Sequence, residues 1–132
     1  MAVKITILYD NTAPVKAGLS ADWGFSALVE VDQGKTILFD TGANGEILLN
    51  NMKVLGILPT TIDAVFISHA HHDHVGGLAS FLEENNDVTI WLPPSFHGRL
   101  DVKERVIVSK PMALVSGIYS TGELEGIEQS MA

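Results

Sequence analysis

The sequence predicts an α/β layered fold, with helices laid against a sheet. Three observations point there. Short β-rich runs end at turn residues, two segments carry apolar residues at helical spacing, and one brief run, Ile62 to Ile67, is almost continuously apolar. A run of that last kind is typical of a strand buried on both faces, and strands interleaved with helices form layers around one core.

The elements follow in order. Val3 to Tyr9 alternates and stops at Asp10-Asn11, as a first strand entering a loop does. Residues 11–23 carry Pro14, Gly18 and Asp22 and read as a long connection. Phe25 to Val31 and Lys35 to Phe39 are two strands joined at Asp32-Gln33-Gly34, a hairpin signal. Asn44 is placed to cap a helix whose apolar positions Ile47, Leu48, Met52 and Leu55 run up to Gly56, and Pro59 closes the connection. After the buried strand 62–67, residues Val75 to Glu84 show a second helical pattern with Leu78, Phe81 and Leu82 on one side. Asp87 to Leu92 is a strand stopped by Pro93-Pro94, and Arg105 to Val108 and Met112 to Tyr119 are two more. No internal boundary interrupts residues 1–132, which read as one domain.

Composition narrows the function. The chain has 132 residues, 46% hydrophobic and 18% charged, which suits an ordinary globular domain. No apolar run approaches the roughly 20 residues needed to span a bilayer, and residues 1–7 lack a signal peptide's apolar stretch, so a cytoplasmic location is expected. The net charge of −8, with no Lys/Arg cluster, argues against nucleic acid and against anionic membrane and favours a small-molecule substrate. Cysteine is absent. Any metal must therefore be held by histidine and carboxylate, which suits zinc first, with manganese or iron as alternatives.

Such a site stands out in Ser68-His69-Ala70-His71-His72-Asp73-His74-Val75-Gly76-Gly77. Four of the chain's five histidines fall between positions 69 and 74. A lone histidine is ordinarily a core or surface residue, but four in six positions repel one another once protonated and bury apolar surface poorly. An expression tag would sit at a terminus and lack the aspartate. A divalent-metal site accounts for the pattern. If the chain stays extended past Ile67, His69, His71 and Asp73 project to one side, and the glycines then let the backbone turn. His69 and His71 can grip one ion while Asp73 and His74 grip a neighbour. His72 is the spacer. Asp40, in Phe39-Asp40-Thr41-Gly42, is the candidate carboxylate that orients a histidine ligand from behind. His97, the one later histidine, reads as a surface loop residue. Trp23 and Phe96 are candidate apolar walls at the rims formed by residues 11–23 and 93–101.

H-x-H-x-D-H at the end of a buried strand, followed by Gly-Gly and preceded upstream by Ile37-Leu38-Phe39-Asp40-Thr41-Gly42, resembles the metallo-β-lactamase-fold hydrolase superfamily. Asp10-Asn11, Trp23-Gly24-Phe25-Ser26 and Gly117-Ile118-Tyr119-Ser120-Thr121-Gly122 are similar to a branch of metal-dependent hydrolases and dihydropterin ribofuranosyl-aminobenzene-phosphate synthase-like proteins. The resemblance implies the N-terminal half of a four-layer αβ/βα sandwich, with a mixed sheet and helices on one face. It assigns His69 and His71 to a first metal, Asp73 and His74 to a second, and Asp40 to the supporting position. It also implies hydrolysis of an ester, amide, thioester or phosphoester by hydroxide from a metal-activated water, with Asp73 as the catalytic carboxylate. The family site draws further ligands from a second half. The expectation is thus a truncated domain, with three explanations open: a fragment of a longer gene product, a half-domain completed by another copy or by a complementing C-terminal half, or a metal-binding module without turnover. A synthase-like transfer would need a phosphate-binding element, and the sequence offers none.

Overall fold

The computed structural model describes residues 2–14, 18–32, 34–115, 117–124 and 131. Six strands form one mixed sheet in the order β1 (Val3–Tyr9), β2 (Ser26–Val31), β3 (Thr36–Phe39), β4 (Ala64–Phe66), β5 (Thr89–Leu92) and β6 (Glu104–Ile107). β1, β2 and β3 pair antiparallel, and β3 through β6 run parallel. The change of sense has a simple cause. Antiparallel neighbours need only a tight turn, whereas each parallel step needs a longer crossover. Helices α1 (Gly45–Val54) and α3 (Leu78–Glu84) lie in the crossovers leading to β4 and β5. A short helix, α2 (His72–Val75), precedes α3.

Strand alternation sorts the apolar residues onto two faces. Leu28, Leu38, Val65 and Ile90 face the helices and join Leu48, Met52, Leu78 and Phe81 in the larger core. Ile37, Ala64, Phe66, Trp91 and Val108 face the other way and form a second cluster. The helices therefore cover one face, as the sequence implies. Asn44 caps α1, its side chain accepting from the N–H groups of Glu46 and Ile47.

Three elements differ from expectation. Met112 to Tyr119 is not one strand but a hairpin, β7 (Met112–Val115) with β8 (Ile118–Ser120). Gly117, at φ 84°, turns the chain between them. This hairpin lays Leu114, Val115 and Ile118 on the second cluster. The predicted helix 75–84 is also divided, because the chain coils at His72, bends at Gly76-Gly77 and coils again. On β1 the register shifts between Ile7 and Tyr9. That irregularity buries Leu8 and Tyr9 while Val3, Ile5 and Ile7 stay exposed, Ile5 at 63%. The sheet face beside the hairpin is open and apolar, and a groove of about 160 Å³ runs between Val29, Ile37, Phe39, Phe66, Leu114 and Tyr119. Gln33, residues 15–17 and Ser116, which fall in the predicted turn, loop and strand, lie outside the described residues.

The bend after α2 is packed tightly. A Cβ on Gly77 would sit 2.2 Å from the carbonyl oxygen of Thr41, and one on Gly76 would sit 2.2 Å from that of Ala43. Backbone cannot retreat there without moving β3's end. Gly77→Ala is expected to lower unfolding stability by about 1–3 kcal/mol in urea denaturation. An unchanged midpoint would contradict this packing.

Candidate metal centre

β3 and β4 are adjacent and parallel, with Phe39 opposite Phe66. Their carboxyl ends therefore deliver Asp40 and Ser68 side by side, at the edge where open α/β sheets commonly place ligands. The ladder extends one step further, Asp40 N–H donating to Phe66 O at 2.8 Å and Ile67 N–H to Trp91 O at 3.0 Å. Asp40 then adopts φ 56°. This left-handed conformation is uncommon outside glycine, although aspartate tolerates it better than most. The twist turns its side chain inward, where it is fully buried.

That carboxylate is well supplied with donors. Ser68 N–H donates to Oδ1 at 2.7 Å, Ser68 Oγ–H to Oδ2 at 2.6 Å, and His74 Nδ1 lies 2.7 Å from Oδ2. Among the described residues no buried side-chain polar atom lacks a partner. A buried carboxylate persists only on such terms.

His71, with φ and ψ of −71° and 145°, is extended and immediately precedes α2. His69 and His71 therefore stand before the helix, whereas Asp73 and His74 sit on its first turn. His69, His71 and Asp73 each offer a donor atom, and these lie within 4.8 Å of one another. His74 closes the group: its Nε2 is 3.6 Å from Asp73 Oδ2, and its ring centroid is 4.1 Å from that of His69. Ligands around a four-coordinate zinc are about 3.3 Å apart, given metal–nitrogen bonds of about 2.0 Å. The donor set is imidazole and carboxylate with no thiolate, so it fits zinc, manganese or iron. With Nδ1 of both His74 and His69 engaged by hydrogen bonds, Nε2 is the nitrogen that each ring offers a cation. Asp40 also groups with His69 and His74, but its short contact with His74 Nδ1 is a hydrogen bond and makes it a support.

His72 and His97 belong to neither group of potential ligands and are exposed. Phe96 is half-buried against the helix-side core, with the Arg105 guanidinium 5.7 Å above its ring. It anchors its loop. Trp23, by contrast, is exposed. It precedes Gly24 and Phe25, and Phe25 N–H donates to Asp73 O at 3.2 Å. Gly24 is needed at that approach, since a Cβ would fall 2.3 Å from Asp73 O. Thr41 ties the same helix to the Asp40 turn, donating through both N–H and Oγ1 to His74 O at 2.8 and 2.9 Å. Sequence reasoning passes over Ser68. The available signal is a hydroxyl residue ending a wholly apolar strand, immediately before the first histidine.

A family model for the metallo-beta-lactamase superfamily matches residues 23–114, which include every residue of this cluster. The chain belongs to the metallo-beta-lactamase superfamily. Among curated members, it is 33% identical over 154 aligned positions to 7,8-dihydropterin-6-methyl-4-(beta-D-ribofuranosyl)-aminobenzene-5'-phosphate synthase of Methanocaldococcus jannaschii, with 96% of this chain and 52% of that one aligned. It is 38% identical over 82 positions to ribonuclease Z of Nanoarchaeum equitans, covering 58% and 24% of the two chains. The chain thus spans about half the length of the synthase and less of the ribonuclease. A solved metal-dependent hydrolase of the beta-lactamase superfamily superposes with a TM-score of 0.72 at 22% identity, over 98% of this chain and 60% of that one. An N-acyl homoserine lactone lactonase superposes at 0.58 and 20% identity, over 81% and 54%. These superpositions establish the superfamily's mixed α/β fold.

Tyr9 binds the surroundings of the centre together. Its hydroxyl donates to the Asp22 carboxylate and accepts from Asn44 N–H at 3.0 Å, and its ring packs over Gly42. Burial first, then the Asp22 hydrogen bond, pushes the phenol up from 10.0 to about 12, against a smaller opposing pull from backbone N–H groups of Asn44 and Ala43. The fold therefore favours the protonated phenol. Its contribution to stability is complete below pH 10.0 and is lost as pH rises towards about 12. In a Tyr119→Phe variant, where Tyr9 is the remaining tyrosine, ultraviolet titration is expected to place ionisation near 12, with stability falling across that interval. Ionisation near 10.0 would contradict the burial and the Asp22 bond.

Proposed function

We propose that the protein is a metal-dependent hydrolase acting on a small molecule through an ester, amide, thioester or phosphoester. The observation that carries the reading is the convergence of His69, His71 and Asp73, with His74 against Asp73. His69, His71, Asp73 and His74 would hold a divalent cation, zinc first and manganese or iron as alternatives, which would supply Lewis acidity towards water and towards the bond to be broken. His69 and His71 supply neutral nitrogen donors. Asp73 and His74 supply the adjoining donors, and Asp73 orients the nucleophilic water and takes its proton. Asp40 holds His74 in position. Trp23, exposed and two residues before the Phe25 N–H that bonds to Asp73 O, is the candidate apolar wall. The net charge of −8 favours a small substrate over nucleic acid, and a cytoplasmic location is consistent with the lack of any described helix long and apolar enough to cross a membrane.

Two specific observations favour other readings. Alignment to the synthase over 96% of this chain, at 33% identity, supports a dihydropterin-related synthase or transferase reaction. The open apolar face at Val3, Ile5, Ile7 and Tyr119 supports a metal-binding half completed by another copy or by a complementing chain. Light scattering then gives a dimer or larger for this chain, and a monomer with full turnover would dismiss that reading.

The hydrolase reading is tested by Asp73→Asn on a panel of esters, thioesters, lactones and phosphodiesters. Turnover is expected to fall by at least about 100-fold, with part of the bound metal retained. Turnover at the wild-type level would overturn the role of Asp73. Inactivity on the whole panel, with turnover of the synthase's substrates, would replace hydrolysis by transfer.

A further inference from the structure

We infer that Ser68 is a positioning residue that extends the hold of Asp40 from one histidine to two. The proposal builds on the reading of the cluster as a metal centre. Ser68 follows Ile67 at the end of β4's buried run and is itself buried, at 7% exposure. Each of its polar groups is engaged. Its N–H donates to Asp40 Oδ1, its carbonyl accepts from Met131 N–H at 2.8 Å, and its hydroxyl lies between Asp40 Oδ2 at 2.6 Å and His69 Nδ1 at 2.8 Å.

A hydroxyl has one proton to give. Asp40 Oδ2 is an acceptor, so the Ser68 proton goes to it, and a lone pair of Oγ faces His69. The ring nitrogen meeting that lone pair must carry the proton. His69 is therefore held as the Nδ1–H tautomer, with the lone pair of Nε2 directed away from Ser68. His74 reaches the same arrangement directly, because its Nδ1 also meets Asp40 Oδ2. A single carboxylate oxygen thus sets the tautomer of two imidazoles, one by contact and one through a serine. The backbone bond from Ser68 N–H to Oδ1 fixes the carboxylate against the Ser68 backbone and so keeps Oδ2 within reach of the hydroxyl. A threonine hydroxyl can make the same two bonds, and an alanine methyl can make neither.

Two measurements on one set of variants test this. Long-range proton–nitrogen NMR of the metal-free protein, about two pH units above the ordinary imidazole value, reads the tautomer without any metal. The expected result is Nδ1–H for His69 and His74 in the wild type and in Ser68→Thr. In Ser68→Ala, His69 moves towards the Nε2–H form while His74 stays as it was. Zinc affinity by competition titration is expected to fall about 10- to 100-fold in Ser68→Ala and to recover in Ser68→Thr. Circular dichroism confirms that each variant is folded before comparison. An unmoved His69 signal in folded Ser68→Ala, or a Ser68→Thr protein that behaves like Ser68→Ala, would overturn the proposal. Because the tautomer is read without metal, a protein that bound no zinc would refute the metal centre, while the NMR result would still decide the role of Ser68.

Discussion

The carboxylate of Asp40 organises everything around it. It is buried at the end of β3 on a left-handed residue and accepts from Ser68 twice and from His74 once. A buried carboxylate without such donors would cost several kcal/mol, so the segments that supply them must return to the same place whenever the chain folds. Parallel pairing of β3 with β4 brings Ser68 within reach. The glycine bend after α2 lets the helical turn carrying His74 close over the Asp40-Thr41-Gly42 turn. Thr41, Phe25 and Tyr9 then fasten that turn, α2 and the Trp23 loop to one another.

Much of this is legible in the sequence, for reasons that can be named. The strands of the sheet declare themselves by alternation or by continuous apolarity, and Asn44 declares the start of α1 by its capping chemistry. The histidine cluster is legible because no packing role explains it. The break at Gly76-Gly77 is visible as a turn, but the helical turn before it is not: His72 to Val75 has too little apolar periodicity to reveal it. The hairpin at 112–120 is hidden for a related reason, since apolar residues continue on both sides of Gly117 and give no sign that the strand doubles back. Ser68 escapes because a serine beside a motif looks like any polar strand end. Its importance lies in Asp40, His69 and Met131, partners that only the fold assembles around it.

Membership of the metallo-beta-lactamase superfamily places the cluster among relatives whose names differ widely, a synthase and a ribonuclease included. The chain spans about half of the synthase's length. The structure does hold a donor set of imidazole and carboxylate and two rings braced at Nδ1. It also holds an apolar sheet face next to the β7–β8 hairpin that is open to a partner.

The metal centre itself turns on the cluster binding a divalent cation through His69 and His71. X-ray absorption at the zinc edge, on protein loaded with zinc and dialysed, decides this. The expected spectrum has a first shell of nitrogen and oxygen at about 2.0–2.1 Å with imidazole scattering beyond it, and bound zinc is lost in the His69→Ala, His71→Ala double variant. Zinc retained by the double variant with an unchanged shell, or no zinc retained by the wild-type protein, would contradict a metal centre at these histidines.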